Sequence, residues 1–169
     1  MSVHIILGCM YSGKSTELRR RISRYEAVGI PTLTVTSTLD TRGTLGEKLR
    51  TRVKFLRELL GTPELRAAKV VGIDEAQFFP DLLDFVREME HEKTLILAGL
   101  DGDSNREPFG QILLCIPLCD SVVKLTALDT DGSEAIFTYR STEHSDQIHT
   151  VNSDYIPVSR KTWKEKKNL

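Results

Sequence analysis

The chain has 169 residues, enough for one full hydrophobic core with a small appendage. Its 23 basic and 24 acidic residues nearly cancel, so no net field draws it to nucleic acid or an anionic membrane; neither partner is expected. Its three cysteines lack a framework spacing and argue against a disulfide-stapled secreted domain, and no apolar run approaches the roughly 20 residues that span a bilayer. A cytoplasmic setting is expected, with no leader segment ahead of a strand that starts near residue 3.

Residues 3–7 form a short apolar run ending at Gly8 and predict a buried strand. A helix is predicted over 14–25, stopped by Gly29 and Pro31. The β-branched stretch 32–36 predicts the next strand, the polar stretch 38–52 a loop, and 53–60 a helix. Residues 69–73 read as a buried strand that ends in two acids. Pro80 opens a predicted helix reaching residue 90, with proline in its first turn. Strands are predicted over 94–100 and 121–127, and a short helix over 109–115. Strands without strict alternation, separated by helices, predict an α/β fold: a parallel sheet of the P-loop NTPase type, covered on both faces. Near residue 128 the pattern changes. Residues 129–132 read as a turn, and 135–140 with 148–151 as a β-hairpin. Two units are therefore expected, 1–128 and 129–169.

The run Gly8-Cys9-Met10-Tyr11-Ser12-Gly13-Lys14-Ser15 fits G-x-x-x-x-G-K-[ST] between a strand and a helix. Its glycines let successive backbone N–H groups curl around one anion. Lys14 adds a positive charge at the outer phosphates, and Ser15 offers a hydroxyl to Mg²⁺. The helix that follows directs its positive end at the same place. Gly8, Ser12, Gly13, Lys14, Ser15 and Thr16 are thus the expected nucleotide contacts, with ATP and Mg²⁺ as cofactors. Asp74 and Glu75 end the buried strand at the carboxyl edge of the sheet. Asp74 is the natural carboxylate for the metal, which leaves Glu75 for chemistry. In a kinase Glu75 takes a proton from an attacking hydroxyl; in an ATPase it activates water. These two motifs do not separate the alternatives.

Further runs narrow the choice. The P-loop, then Asp74-Glu75-Ala76-Gln77-Phe78-Phe79, then Leu100-Asp101-Gly102 with Pro108-Phe109-Gly110, together resemble the type II thymidine kinases, the cytosolic and poxviral type. The stretch 121–127 and the triplet Asp40-Thr41-Arg42 also match. The resemblance runs in order from about residue 3 to 160. It implies transfer of the ATP γ-phosphate to the 5′-hydroxyl of thymidine or deoxyuridine, by a homotetramer. It implies that Glu75 is the catalytic base and that Arg42 reaches the transferring phosphates beside Lys14, with Asp40 nearby. Gln77 is expected to face the sugar. Phe78 and Phe109 are expected to pack near the nucleoside, and Met10, Leu100, Thr138 and Tyr155 around the thymine methyl group. Met10 would give the P-loop a contact to each substrate. A lasso near residues 150–158 is expected to close over the base, and to be mobile without nucleoside.

The chain departs from this family in three places. Many members hold the C-terminal part with zinc on two Cys-x-x-Cys pairs; the matching positions here are Asp129, Gly132, Ser159 and Thr162, so a zinc-free protein is expected. Ser104 stands where the family often has phenylalanine. Cys9 replaces a common proline. The first two departures leave a broader deoxynucleoside kinase, or a nucleotide-binding homologue that has lost turnover, as alternatives.

Overall fold

The structure is a computed structural model that describes residues 1–39, 50–141 and 154–167. In chain order these form β1 (Ser2–Gly8), α1 (Lys14–Glu26), β2 (Thr32–Ser37), β3 (Arg50–Val53), α2 (Pro63–Ala67), β4 (Val70–Ile73), α3 (Leu82–Met89), β5 (Thr94–Gly99) and β6 (Ser121–Leu125). Then follow β7 (Ala127–Leu128), β8 (Glu134–Ala135), β9 (Phe137–Arg140), β10 (Tyr155–Val158) and α4 (Arg160–Lys166). Single-turn or short 3-10 helices cover Leu56–Leu59, Ala76–Phe78 and Ile112–Leu118.

Strands β1 to β6 make one sheet in the order β3-β2-β4-β5-β1-β6, and every pairing in it is parallel. Successive side chains of a strand point to opposite faces, and both faces here are apolar. Val3, Ile5 and Leu7 of β1 join Val71, Ile73, Leu95 and Leu97 in a core covered by Leu82, Phe85 and Val86 of α3. Ile6, Ile96 and Ala98 face the other way and meet Leu18 and Ile22 of α1. Burial on both faces is why these strands read as continuous apolar runs.

The sequence reading differs from the structure at several boundaries. Residues 50–52 were expected in a loop and Val53 in a helix; together they form β3, parallel to β2. The helix expected over 53–60 shrinks to the 3-10 turn Leu56–Leu59, whose Leu56 and Arg57 N–H groups donate to the Asp81 carboxylate at 3.1 and 2.9 Å. Because Asp81 caps that turn, α3 starts at Leu82 and Pro80 lies ahead of it. The short helix expected over 109–115 is a 3-10 helix at Ile112–Leu118. The partner of β9 is β10, in antiparallel register from Tyr155↔Arg140 to Val158↔Phe137. The stretch 148–151, expected to be that partner, lies outside the described residues.

The C-terminal segment is fastened at two points. Asp129 follows β7, and its carboxylate accepts the backbone N–H of Ser159 at 2.7 Å and that of Thr130 at 2.7 Å. The Ser159 hydroxyl caps α4 by accepting the Thr162 N–H at 3.2 Å. Three of the four positions matched to zinc ligands by the resemblance in the sequence, Asp129, Ser159 and Thr162, are thus joined by hydrogen bonds. The second fastening is Arg106, whose guanidinium lies 3.7 Å from the Trp163 ring centre and 5.3 Å from that of Phe137. That stack ties the loop carrying Ser104 to α4 and β9.

The Ser159 N–H, followed by the Thr162 hydroxyl, holds the Asp129 carboxyl well below the usual carboxylate range. A carboxylate with a depressed folded-state pKa stabilises fully above its unfolded value, and that contribution is lost as pH falls below it. Asp129→Ala should therefore lower stability at pH 7 by about 1–3 kcal/mol, the cost of leaving buried donors unpaired. The gap to the parent protein should narrow below about pH 4. Thermal unfolding followed by circular dichroism across pH checks both; a gap independent of pH removes the ionised carboxylate from the explanation.

Candidate active site

β1 delivers the chain into the P-loop at the carboxyl edge of the sheet, and α1 leaves from it. The turn between them needs Gly13, which sits at the N-cap of α1 with φ of 84°, a conformation that disfavours a Cβ. Lys14 is buried, and its ammonium donates to the Cys9 carbonyl at 2.7 Å, folded back along the loop. The Ser12 hydroxyl is buried, with no hydrogen-bond partner among the described residues. An orphaned donor in a loop of this kind fits an anion. Thr16 is exposed in the first turn of α1.

Ser15 and Asp74 meet as expected. The Ser15 hydroxyl donates to Asp74 Oδ1 at 3.0 Å, although 59 residues separate them. Asp74 is held in place by its own N–H, which donates to the Val35 carbonyl of β2 at 2.8 Å. A hydroxyl and a carboxylate together are a hard oxygen donor set that suits Mg²⁺. Glu75 follows with φ of 52° and ψ of 44°, the left-handed region, and is 3% exposed. A non-glycine residue held there costs about 1–3 kcal/mol and is found most often at functional sites.

The turn Ala76–Phe78 then presents two further expected residues. Gln77 Nε2 donates to Glu75 Oε2 at 2.7 Å, and Gln77 Oε1 accepts the Leu100 N–H at 3.0 Å. Both ends of its amide are therefore engaged within the protein. Phe78 meets Phe109 edge to face, with ring centres 5.7 Å apart.

Met10, Leu100 and Phe109 form one buried apolar cluster, with Phe78 and Tyr155 packed against it. Five residues expected around the nucleobase are thus gathered from separate places in the chain. Thr138 joins them through its hydroxyl, which accepts the Met10 N–H at 3.0 Å and ties β9 to the P-loop. Arg42 and Asp40 lie outside the described residues. Ser104 is half-buried in a loop whose shape is set by Asp103; its carboxylate accepts the N–H groups of Asn105 at 2.8 Å and Glu107 at 3.0 Å.

The sequence reading missed the Arg106 stack and the tight seat of the Gln77 turn. A Cβ at Gly110, whose φ is +63°, would lie 2.1 Å from the Gln77 carbonyl oxygen; one at Gly99 would lie 2.6 Å from Gln77 Oε1. The signal for the first was a lone tryptophan in a basic tail. The glycines gave none beyond their place in a motif.

Comparisons with known proteins agree with this geometry. The family model described as thymidine kinase matches residues 1–163. The chain is 42% identical over 147 residues to the cytosolic thymidine kinase of Homo sapiens, covering 82% of this chain and 62% of the human one. It is 40% identical over 171 residues to the thymidine kinase of vaccinia virus (strain Western Reserve), covering 95% of this chain and 96% of the viral one. It thus spans about three fifths of the human relative and nearly all of the viral one. Among solved structures, the flagellar accessory protein FlaH of Methanocaldococcus jannaschii superposes with a TM-score of 0.53 over 76% of this chain and 72% of that one; at 16% identity it shares the fold alone. The chain belongs to the thymidine kinase family of enzymes.

Proposed function

We propose that the chain transfers the γ-phosphoryl group of ATP to the 5′-hydroxyl of thymidine or deoxyuridine, releasing ADP and the nucleoside monophosphate. The observation that supports this best is the continuity of the turn 74–78. In five residues it supplies a carboxylate bonded to Ser15, a buried second carboxylate, and an aromatic wall of the apolar cluster. A phosphate cradle and a pocket for a flat apolar base are thereby joined by one potential base catalyst.

In this reading the P-loop N–H groups, Ser12 and Lys14 hold the ATP phosphates. Mg²⁺, when bound, neutralises charge on the β- and γ-oxygens, and Ser15 with Asp74 are the residues that would hold it. Glu75 accepts the proton of the 5′-hydroxyl as the new O–P bond forms and the bond to the β-phosphate oxygen breaks. Arg42 contributes charge to the transferring phosphoryl by the family resemblance. Met10, Leu100, Phe109, Phe78 and Tyr155 enclose the base. Apolar contact with the thymine methyl favours thymidine over deoxyuridine by about 1 kcal/mol.

Residues 129–169 serve as the unit that closes over the nucleoside, fastened through Asp129 and Arg106 in place of zinc. A homotetramer is part of the reading. It is supported by β6, an edge strand with Val122 exposed, and by Leu114 and Ile116, which are also exposed. So is a cytoplasmic setting; among the described residues no helix is long and apolar enough to cross a membrane.

Ser104 favours a second reading, a kinase with a wider deoxynucleoside range, because serine offers no aromatic wall. Phosphate transfer from Mg-ATP to thymidine, deoxyuridine, deoxycytidine and deoxyadenosine separates the two. We expect thymidine and deoxyuridine to be turned over at similar kcat, with kcat/KM for deoxycytidine at least about 10²-fold lower. Comparable values across the panel would establish the wider range, and binding without turnover would mark a homologue that has lost catalysis.

A further inference from the structure

Gln77 occupies a position that neither phosphate binding nor nucleobase packing requires. It is the middle residue of the turn Ala76–Phe78 and is 3% exposed. Its orientation is fixed by chemistry. The Leu100 N–H can only donate, so the amide oxygen must face Leu100 at 3.0 Å, and the amide nitrogen must then face Glu75 Oε2 at 2.7 Å. The reversed amide would set N–H against N–H and oxygen against carboxylate. The backbone around it has no slack, because Gly99 and Gly110 each approach Gln77 too closely to carry a Cβ. Leu100 in turn belongs to the cluster with Met10 and Phe109. One side chain therefore spans from the backbone of the apolar cluster to the buried carboxylate.

We infer that Gln77 is a positioning residue, which aims the Glu75 carboxylate at the acceptor hydroxyl and registers it to the Leu100 wall against which the nucleobase packs. The inference rests on the reading of Glu75 as the catalytic base. Two consequences follow from the bonding. The carboxylate keeps one rotamer, so its distance from the 5′-oxygen is set by how the base seats on Leu100. The same amide ties that carboxylate to the Leu100 backbone, so displacing one end displaces the other. A direct contact between Gln77 and the sugar has a different consequence: it contributes to nucleoside binding, and its loss raises KM.

Two substitutions separate these roles. Gln77→Glu differs by a single atom, keeps an oxygen for the Leu100 N–H, and replaces the donor to Glu75 by a second acid. The bond that aims Glu75 is lost while the contact to Leu100 is kept, so kcat should fall about tenfold or more with KM for thymidine within about threefold. Gln77→Met keeps much of the volume and removes both bonds. Its kcat should fall about 10²-fold, the scale of a misplacement of about 1 Å at a reacting group, while KM for thymidine stays within about threefold.

Steady-state rates across thymidine concentrations at saturating Mg-ATP, on variants shown by ATP binding to be folded, give the result. A rise in thymidine KM with kcat unmoved overturns the inference in favour of a sugar contact. Unchanged kcat in Gln77→Glu overturns it outright, and that variant suffices should Gln77→Met not fold. Glu75→Gln serves as the reference. If that variant keeps its kcat, the reading of Glu75 as base has failed; if its kcat collapses while the Gln77 variants behave as the parent, only the role of Gln77 has failed.

Discussion

Glu75→Gln is expected to lower kcat by about 10²–10⁴, the usual contribution of a positioned general base, with the dissociation constant for ATP changed by less than about threefold. The two halves of this expectation come from different parts of the site. Phosphate binding is assigned to the P-loop backbone, Lys14, Ser15 and Asp74, none of which the substitution alters. The glutamine also retains an oxygen to accept the Gln77 amide N–H, so the turn has no reason to rearrange. What disappears is a group able to accept the proton of the 5′-hydroxyl. A thousandfold drop corresponds to about 4 kcal/mol of lost transition-state stabilisation. Calorimetric titration with ATP and single-turnover transfer to thymidine make the measurement. A kcat within tenfold of the parent's sinks the assignment of Glu75 and leaves the phosphoryl acceptor to be deprotonated elsewhere.

Gly110→Ala carries the next largest expectation, and it concerns a residue with no chemistry of its own. The added methyl would stand 2.1 Å from the Gln77 carbonyl oxygen and 2.9 Å from its carbon, all of them backbone atoms that no rotamer change can move aside. The left-handed φ of +63° adds about 1–2 kcal/mol of strain for any residue with a Cβ. Overpacking adds about 1–3 kcal/mol more. The thermal midpoint should fall by about 10 °C, and kcat by about 10²-fold as the turn carrying Gln77 and Phe78 is displaced. Gly132→Ala is the control. Its φ is +80° and nothing lies within 4 Å of the added carbon, so only the strain remains. Differential scanning calorimetry of the pair decides the matter: similar midpoints would show that crowding against Gln77 has no part in it.

The residues easiest to read in the sequence were those that obey a local rule. The P-loop declares itself within eight residues, and Asp74 and Glu75 stand at the end of a run, Val70–Ile73, that is buried throughout. Other elements were hidden because what defines them is distant. β3 is Arg50-Thr51-Arg52-Val53, too polar to stand out, and it exists because β2 offers it an edge. β10 contains Pro157, which weakens any strand prediction, yet it pairs with β9 at the margin of a two-stranded sheet. α4 is seven residues in a lysine-rich tail, and its start is set by the Ser159 cap and by Asp129, 30 residues earlier in the chain. Gln77 was found by motif, but its bond to Leu100 was not, because that partner lies 23 residues away and is met through the backbone. Nothing in the spacing of Arg106 and Trp163 foretells a stack.

The order of strands in the sheet also bears on how the protein comes into being. β1 precedes the other strands of its sheet in the chain, yet its neighbours in that sheet are β5 at Thr94–Gly99 and β6 at Ser121–Leu125. On a ribosome, the strand that launches the P-loop therefore waits for β5 and β6 before its two sides are paired. Contacts of such long sequence separation are slow to form, and an unpaired apolar strand is prone to aggregation meanwhile. Nascent chains stalled before residue 94 should not be retained on immobilised ATP, and chains that have exposed β6 should be. Nucleotide binding is in this sense a late event in the life of the molecule, although its motif precedes β5 and β6 in the chain.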